Sequence, residues 1–234
     1  MMPFLSRFLF KPRASHFIAI DIGSNAAIRS LAFDCDAEGC IAGAKRIYEL
    51  PKREDEADLI APTKEYLRRV IFQYLKTEGR IPDEILIGLG SHLAFNEISA
   101  ARKARPKPEE IIKPAELRGM LDDFLEGNGE KIIDGKHFNL AHVMPLGIAA
   151  DGYAINALSP STSGRAIEIS FFATYALKEY WEALSGLRAL WGGLKITFIS
   201  NQTAVASALI STLDAKDALM IKVGAKMTEA SLLG

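Results

Sequence analysis

The stretch Phe17–Phe33, FIAIDIGSNAAIRSLAF, constrains the fold more than any other part of the chain. An apolar run, Phe17-Ile18-Ala19-Ile20, ends in Asp21-Ile22-Gly23-Ser24-Asn25, and a second strand-like run follows over Ala26–Phe33. Strand, tight polar turn and returning strand make a β-hairpin. Gly23 has no Cβ, so the backbone there can take positive φ or let a ligand come close. Ser24 and Asn25 put hydroxyl, amide and backbone N–H donors at the tip, which suits a phosphate. Asp21 is an anion and cannot meet a phosphate directly. It can hold a hydrated Mg²⁺ that bridges to phosphate oxygens. The same residues also make an ordinary hairpin with a polar turn.

A chain of 234 residues, 49% hydrophobic and 24% charged, has the composition of a globular protein with a substantial core. Lys+Arg 28 against Asp+Glu 29 gives a formal net charge of −1, so no electrostatic case exists for a nucleic-acid partner. The two cysteines, Cys35 and Cys40, are too few for a disulfide scaffold and have no neighbouring ligands for zinc; free thiols in a reducing cytoplasm are expected. No apolar run reaches the roughly 20 residues that span a membrane. Near the N-terminus Phe4, Leu5, Phe8 and Leu9 fall on one helical face beside Arg7, Lys11 and Arg13. That pattern makes either a membrane-surface foot or a docked terminus.

Further along, Ile41–Leu50 reads as a strand, and a charged connector, PKREDEADLIAP, follows. Thr63 is placed to cap a helix running to Lys76, with Leu67, Val70, Ile71, Tyr74 and Leu75 at helical spacing. Glu84–Leu89 is a buried strand. Strands at Leu93–Ala101 and Ala166–Ala173 are expected around a helix at Pro114–Leu125 and a β-rich patch, HFNLAHVMPLGIAADGYAINAL, with a turn at Asp151-Gly152. The basic ARKARPKPEE segment reads as a solvated hairpin or loop. Thr174–Leu190 is an amphipathic helix in this reading. Lys195–Ser200 is a strand, Asn201–Ser211 a helix capped by Asn201, and Ala218–Val223 a last strand. The order is mixed α/β. His137 and His142 lie on opposite faces of a strand and form no metal pair, and no Ser/His/Asp order supports nucleophilic catalysis.

IAIDIGSNAAIR resembles the first phosphate loop of the actin, heat-shock-chaperone and sugar-kinase superfamily. NLAHVMPLGIAADGY and STSGRAIEISFFATYALKEYWEALSGLRALWGGLKI are similar to the inserted subdomain of FtsA and the strand, helix and strand that follow it. PilM of the type IV pilus has the same plan. The resemblance implies an α/β, ribonuclease H-like, actin-like ATPase domain with a mixed sheet, carrying an FtsA-type α+β insertion. The implied division is a tail at 1–15, a first actin-like subdomain at 16–90 and 174–216, the insertion at 91–173, and the start of a second half at 217–234. It covers only the first half of such a protein.

It further implies ATP and Mg²⁺ as ligands. Asp21, Gly23, Ser24 and Asn25 fall in the first loop, with Asp21 holding the cation through water. Gly224, Lys226 and Thr228 are what remains of the second. That second loop departs from the pattern, because Lys222 stands where an acid is expected, so nucleotide chemistry is weakened or lost. By resemblance the chain is a non-enzymatic division scaffold at the inner face of the cytoplasmic membrane. Its implied partners are the tubulin-like FtsZ, FtsN-type membrane proteins or copies of itself. A PilM-like pilus adaptor is the alternative. An exopolyphosphatase-like enzyme is the third reading, since DIGSN followed by an arginine occurs there too.

Overall fold

The computed structural model describes residues 16–22, 27–35, 40–49, 60–155, 162–192, 194–205, 218–223 and 228–233. In chain order the first elements are β1 (His16–Ile22), β2 (Ala27–Cys35), β3 (Cys40–Glu49), α1 (Ile60–Glu78) and β4 (Glu84–Leu89). Then come β5 (Ala94–Ala104), α2 (Pro114–Gly127), β6 (Glu130–Ile133), β7 (Lys136–Ala150), β8 (Tyr153–Ile155) and β9 (Ala166–Leu177). The chain continues with α3 (Lys178–Ser185), α4 (Leu187–Leu190), β10 (Lys195–Ser200), helical residues 201–205, and the strands β11 (Ala218–Val223) and β12 (Thr228–Leu233). The N-terminal segment with Phe4 to Arg13, most of the charged connector and the second half of the Asn201–Ser211 helix lie outside the described residues.

β1 occupies the middle of a five-stranded sheet ordered β10-β4-β1-β2-β3. It pairs antiparallel with β2, as the hairpin sequence requires, and parallel with β4, which is in turn parallel to β10. Parallel strands need a crossover, and α1 and the whole second sheet provide the two crossovers. Strand alternation puts Ile18, Ile20, Ile22, Ile85, Ile87, Leu89 and Phe198 on one face. Against that face pack Tyr66, Leu67, Val70, Ile71 and Tyr74 of α1 and Tyr180 and Leu184 of α3. Each fully buried side chain of this size contributes about 1.5–3 kcal/mol through apolar burial.

The second sheet has the order β5-β9-β7-β6, with β8 paired to β7. Leu117, Met120 and Phe124 of α2 cover its inner face, with Phe124 stacked on Phe171 at 4.5 Å. β9 belongs to both cores. Ile167, Ile169, Phe171, Ala173 and Tyr175 lie in the second core and Ala176 in the first.

Four expectations are corrected by long-range contacts. Thr63 does not cap α1; it is a fully buried residue inside a helix that begins at Ile60. Residues 174–177 are strand rather than helix, because Thr174 pairs with Asn96 and His142 across the second sheet. The helix that follows is broken at Gly186. Cys35 is disulfide-bonded rather than a free thiol, and the strand register brings Cys35 and Cys40 opposite each other.

The fourth concerns the basic segment. Arg102 and Lys103 end β5 in solvent, but the Arg105 side chain is only 4% exposed. Its guanidinium donates to both carboxylate oxygens of Glu116, at 2.9 and 3.2 Å. It also donates to the carbonyls of Glu110, Ile111 and Gly164. Glu116 in turn accepts from the Lys113 amide at the start of α2. The clasp therefore pins two loops to a helix N-terminus. Replacing Arg105 by Met orphans three carbonyls and a carboxylate that is 32% exposed, so urea denaturation is expected to show a loss of roughly 2–4 kcal/mol.

His142 on β7 faces Glu84 of β4 and Lys195 of β10, and its Nδ1 is buried with no partner among the described residues. Burial pushes its imidazole below the ordinary histidine range, against the opposing pull of Glu84 and with that of Lys195. The neutral ring is therefore the form that the fold accommodates. Its contribution is full above the usual imidazole range and is lost as the pH falls through it. Chemical denaturation between pH 7 and pH 5 is expected to show declining stability, with a shallower decline in His142→Leu.

Candidate functional site

At the C-terminal end of the first sheet, register sets Ile199, Gly88, Asp21 and Arg29 side by side across β10, β4, β1 and β2. Asp21 is the centre of this row. Arg29 Nη1 donates to its Oδ2 at 3.0 Å from one side. From the other side Asn201 Nδ2 donates to its Oδ1 at 2.6 Å. Asn201 follows β10, two strands away, so its side chain has to cross β4. It can do so because the intervening residue is Gly88. A Cβ on Gly88 would lie 2.0 Å from Asn201 Oδ1 and 3.4 Å from the Ile20 carbonyl oxygen.

The energetics separate the two partners. Asp21 and Arg29 side chains are 41% and 40% exposed, so their ion pair is worth about 0.2–1 kcal/mol. Asn201 is buried and bonds to a charged acceptor, which carries roughly 1.5–3 kcal/mol. Below this row the outer face of the sheet is apolar. Leu31, Phe33, Leu86 and Ile199 floor a depression of about 290 Å³ whose rim includes Asp21, Arg29 and Asn201.

The helix entry beside the site also differs from expectation. Asn201 does not cap the helical residues; Ser200 does, its Oγ accepting from the Thr203 amide at 3.3 Å. Asn201 is free to serve Asp21. Asn96 of β5 donates to Ser200 Oγ at 3.0 Å and to Gln202 Oε1 at 3.2 Å, and accepts from Thr174 Oγ1 at 2.9 Å. Gln202 Nε2 reaches the Ala230 carbonyl of β12 at 3.5 Å. One turn of chain thus touches the first sheet, the second sheet and the terminal hairpin.

Of the residues singled out for a phosphate site, Asp21 is placed at this junction. Gly23, Ser24, Asn25, Gly224 and Lys226 lie outside the described residues. Thr228 opens β12, where it faces Val223 of β11, and Lys222 faces Glu229. The sequence pattern assigns no role to Arg29 or Gly88, and assigns Asn201 only as a helix cap rather than as the partner of Asp21. Arg29 was visible as a charge in an apolar strand, and Gly88 as a glycine inside a buried one. Among the described residues no group of three acidic, histidine or cysteine side chains converges as a metal site.

A mixed sheet in the order β10-β4-β1-β2-β3, a second α+β sheet carried between β4 and β10, and a hairpin acid at the strand ends define the actin-like ATPase fold. One solved structure agrees. The chain is similar to one in the "PilM-PilN type IV pilus biogenesis complex", with a TM-score of 0.53, 16% identity and 95% of this chain covered. It spans 59% of that chain's length. More distant likenesses are to a Ppx/GppA family member of Aquifex aeolicus (TM-score 0.40, 10% identity, 94% of this chain and 47% of that one covered). Another is to the cytoplasmic domain of EpsL, an inner-membrane component of the Vibrio cholerae type II secretion system (TM-score 0.37, 12% identity, 93% and 71% covered). No protein-family model and no curated protein sequence matches the chain.

The Gly88–Asn201 packing makes a quantitative prediction. Gly88→Ala is expected to expel the Asn201 amide and to cost about as much stability as Asn201→Ala, roughly 1.5–3 kcal/mol. The double variant is expected to be little worse than either single one. Denaturant unfolding of all four proteins checks this, and additive losses would show that the two residues act separately.

Proposed function

We propose that this chain is the actin-like part of a cytoplasmic adaptor, of the kind found in PilM, which holds a segment of an inner-membrane protein in a pilus or secretion assembly. The observation that carries the reading is the likeness to the PilM–PilN structure over 95% of the chain. Two further features support a platform over an enzyme. Within the chain Asp21 is charge-paired with Arg29 and hydrogen-bonded by Asn201, and the second loop has Lys222 where catalysis would want an acid. Among the described residues no helix is long and apolar enough to cross a membrane, which is consistent with peripheral attachment through such a partner.

A division scaffold of the FtsA type shares the fold and differs in its partner, FtsZ or an FtsN-type protein. The motif that supports it runs from Val143-Met144-Pro145 to the Asp151-Gly152 turn. In both readings ATP is a conformational ligand rather than a fuel.

The two readings separate in a binding titration. The full-length protein is presented by fluorescence anisotropy with two labelled peptides, the cytoplasmic segment of a PilN-type membrane protein and the C-terminal segment of FtsZ, both from the same genome. Micromolar binding of the first and none of the second is expected. The reverse pattern transfers the protein to the division machinery, and binding of neither removes both adaptor readings.

A further inference from the structure

We propose that Arg29 is the resident counter-charge of the Asp21 site, standing where a divalent cation would otherwise sit, and that the site takes a metal-free phosphate ligand. The inference rests on the phosphate-binding expectation for this hairpin, not on the adaptor reading.

The actin-like fold implies a hydrated Mg²⁺ beside the first-loop acid, and the residues present do not fit one. Both Asp21 oxygens already accept hydrogen bonds, from Arg29 Nη1 and from Asn201 Nδ2. The Arg29 guanidinium 3.0 Å away would repel a second cation. Among the described residues no group of three acidic, histidine or cysteine side chains converges there to offset that repulsion. In the sequence, Lys222 stands where the acid of the second loop is expected. The charge at the row is one carboxylate against one guanidinium, already balanced before any ligand arrives.

Arg29 itself is suited to an anion. A guanidinium carries five N–H donors, and Asp21 takes only one of them here. The Arg29 side chain is 40% exposed and lines the 290 Å³ depression, so the guanidinium is within reach of a ligand held there. Its planar fork matches two phosphate oxygens, which a magnesium ion would otherwise neutralise. Asp21 then acts as a competitor for Arg29 rather than as a ligand to metal. Asn201 and Gly88 hold it in that position.

Opposite behaviour is expected of two variants. Isothermal titration of the full-length protein with ATP and with tripolyphosphate, each in EDTA and in excess Mg²⁺, reads it directly. The proposal expects affinities in EDTA within about threefold of those in Mg²⁺. Arg29→Gln is expected to weaken binding at least about tenfold. Asp21→Asn, which frees Arg29 and removes a negative charge, is expected to keep or tighten it. Equal affinity for ATP and tripolyphosphate assigns the site to phosphate alone, and tighter ATP assigns it to a nucleotide; each is compatible with the resident cation. Binding that requires Mg²⁺, loss of binding in Asp21→Asn, or no binding under any condition overturns the proposal. The peptide titration is read separately, so failure here leaves the adaptor reading standing.

Discussion

Ser200, Asn201 and Gln202, the last residue of β10 and the two after it, hydrogen-bond to three separate parts of the chain. Ser200 and Gln202 accept from Asn96 in the second sheet, Asn201 donates to Asp21 in the first, and Gln202 donates to Ala230 in the terminal hairpin. Ser200 and Asn201 are buried, so these groups have lost water and depend on one another for partners. The two sheets have their own hydrophobic cores, and non-directional burial alone would let them slide. The polar turn supplies direction. It fixes how the Asp21 row, the second sheet and the terminal hairpin meet.

Electrostatically the site is economical. An acid at the end of a central strand is the feature that an actin-like fold uses to organise a cation, yet here the acid meets a guanidinium on the adjacent strand and an amide from two strands away. The pairing follows from register, since Asp21 and Arg29 are directly opposite in the β1–β2 ladder. Opposite-charge cross-strand pairs stabilise a hairpin modestly. In this position the pair also leaves the carboxylate with a resident counter-charge.

Local pattern made much of the fold legible. The Phe17–Phe33 hairpin, the buried run Glu84–Leu89, the helical stripe Leu67–Val70–Ile71–Tyr74, the Asp151-Gly152 turn and the strand at Lys195 are written in periodicity and turn chemistry. The structure follows them closely. What escaped was decided at long range. Thr63 looks like a cap until the helix extends to Ile60, and Thr174–Leu177 has helical neighbours but sheet partners at Asn96 and His142. Arg105 looked like one more surface charge in a basic run. Glu116, which makes it structural, is eleven residues away, and two of the carbonyls it satisfies belong to the intervening loop. Asn201 was read as a cap because its partner Asp21 is 180 residues distant.

The connection between the two sheets has a rigid and a soft part. β9 is a strand of the second sheet alone, but Ala176 near its end joins the first core and the chain runs directly on into α3, so continuous backbone links the two cores. The second link is the Asn96–Thr174–Ser200–Gln202 network, a few side-chain hydrogen bonds of about 1 kcal/mol each. Asn201, which donates to Asp21, lies between the two residues that accept from Asn96. The row at the strand ends and the second sheet are therefore joined by hydrogen bonds through this turn.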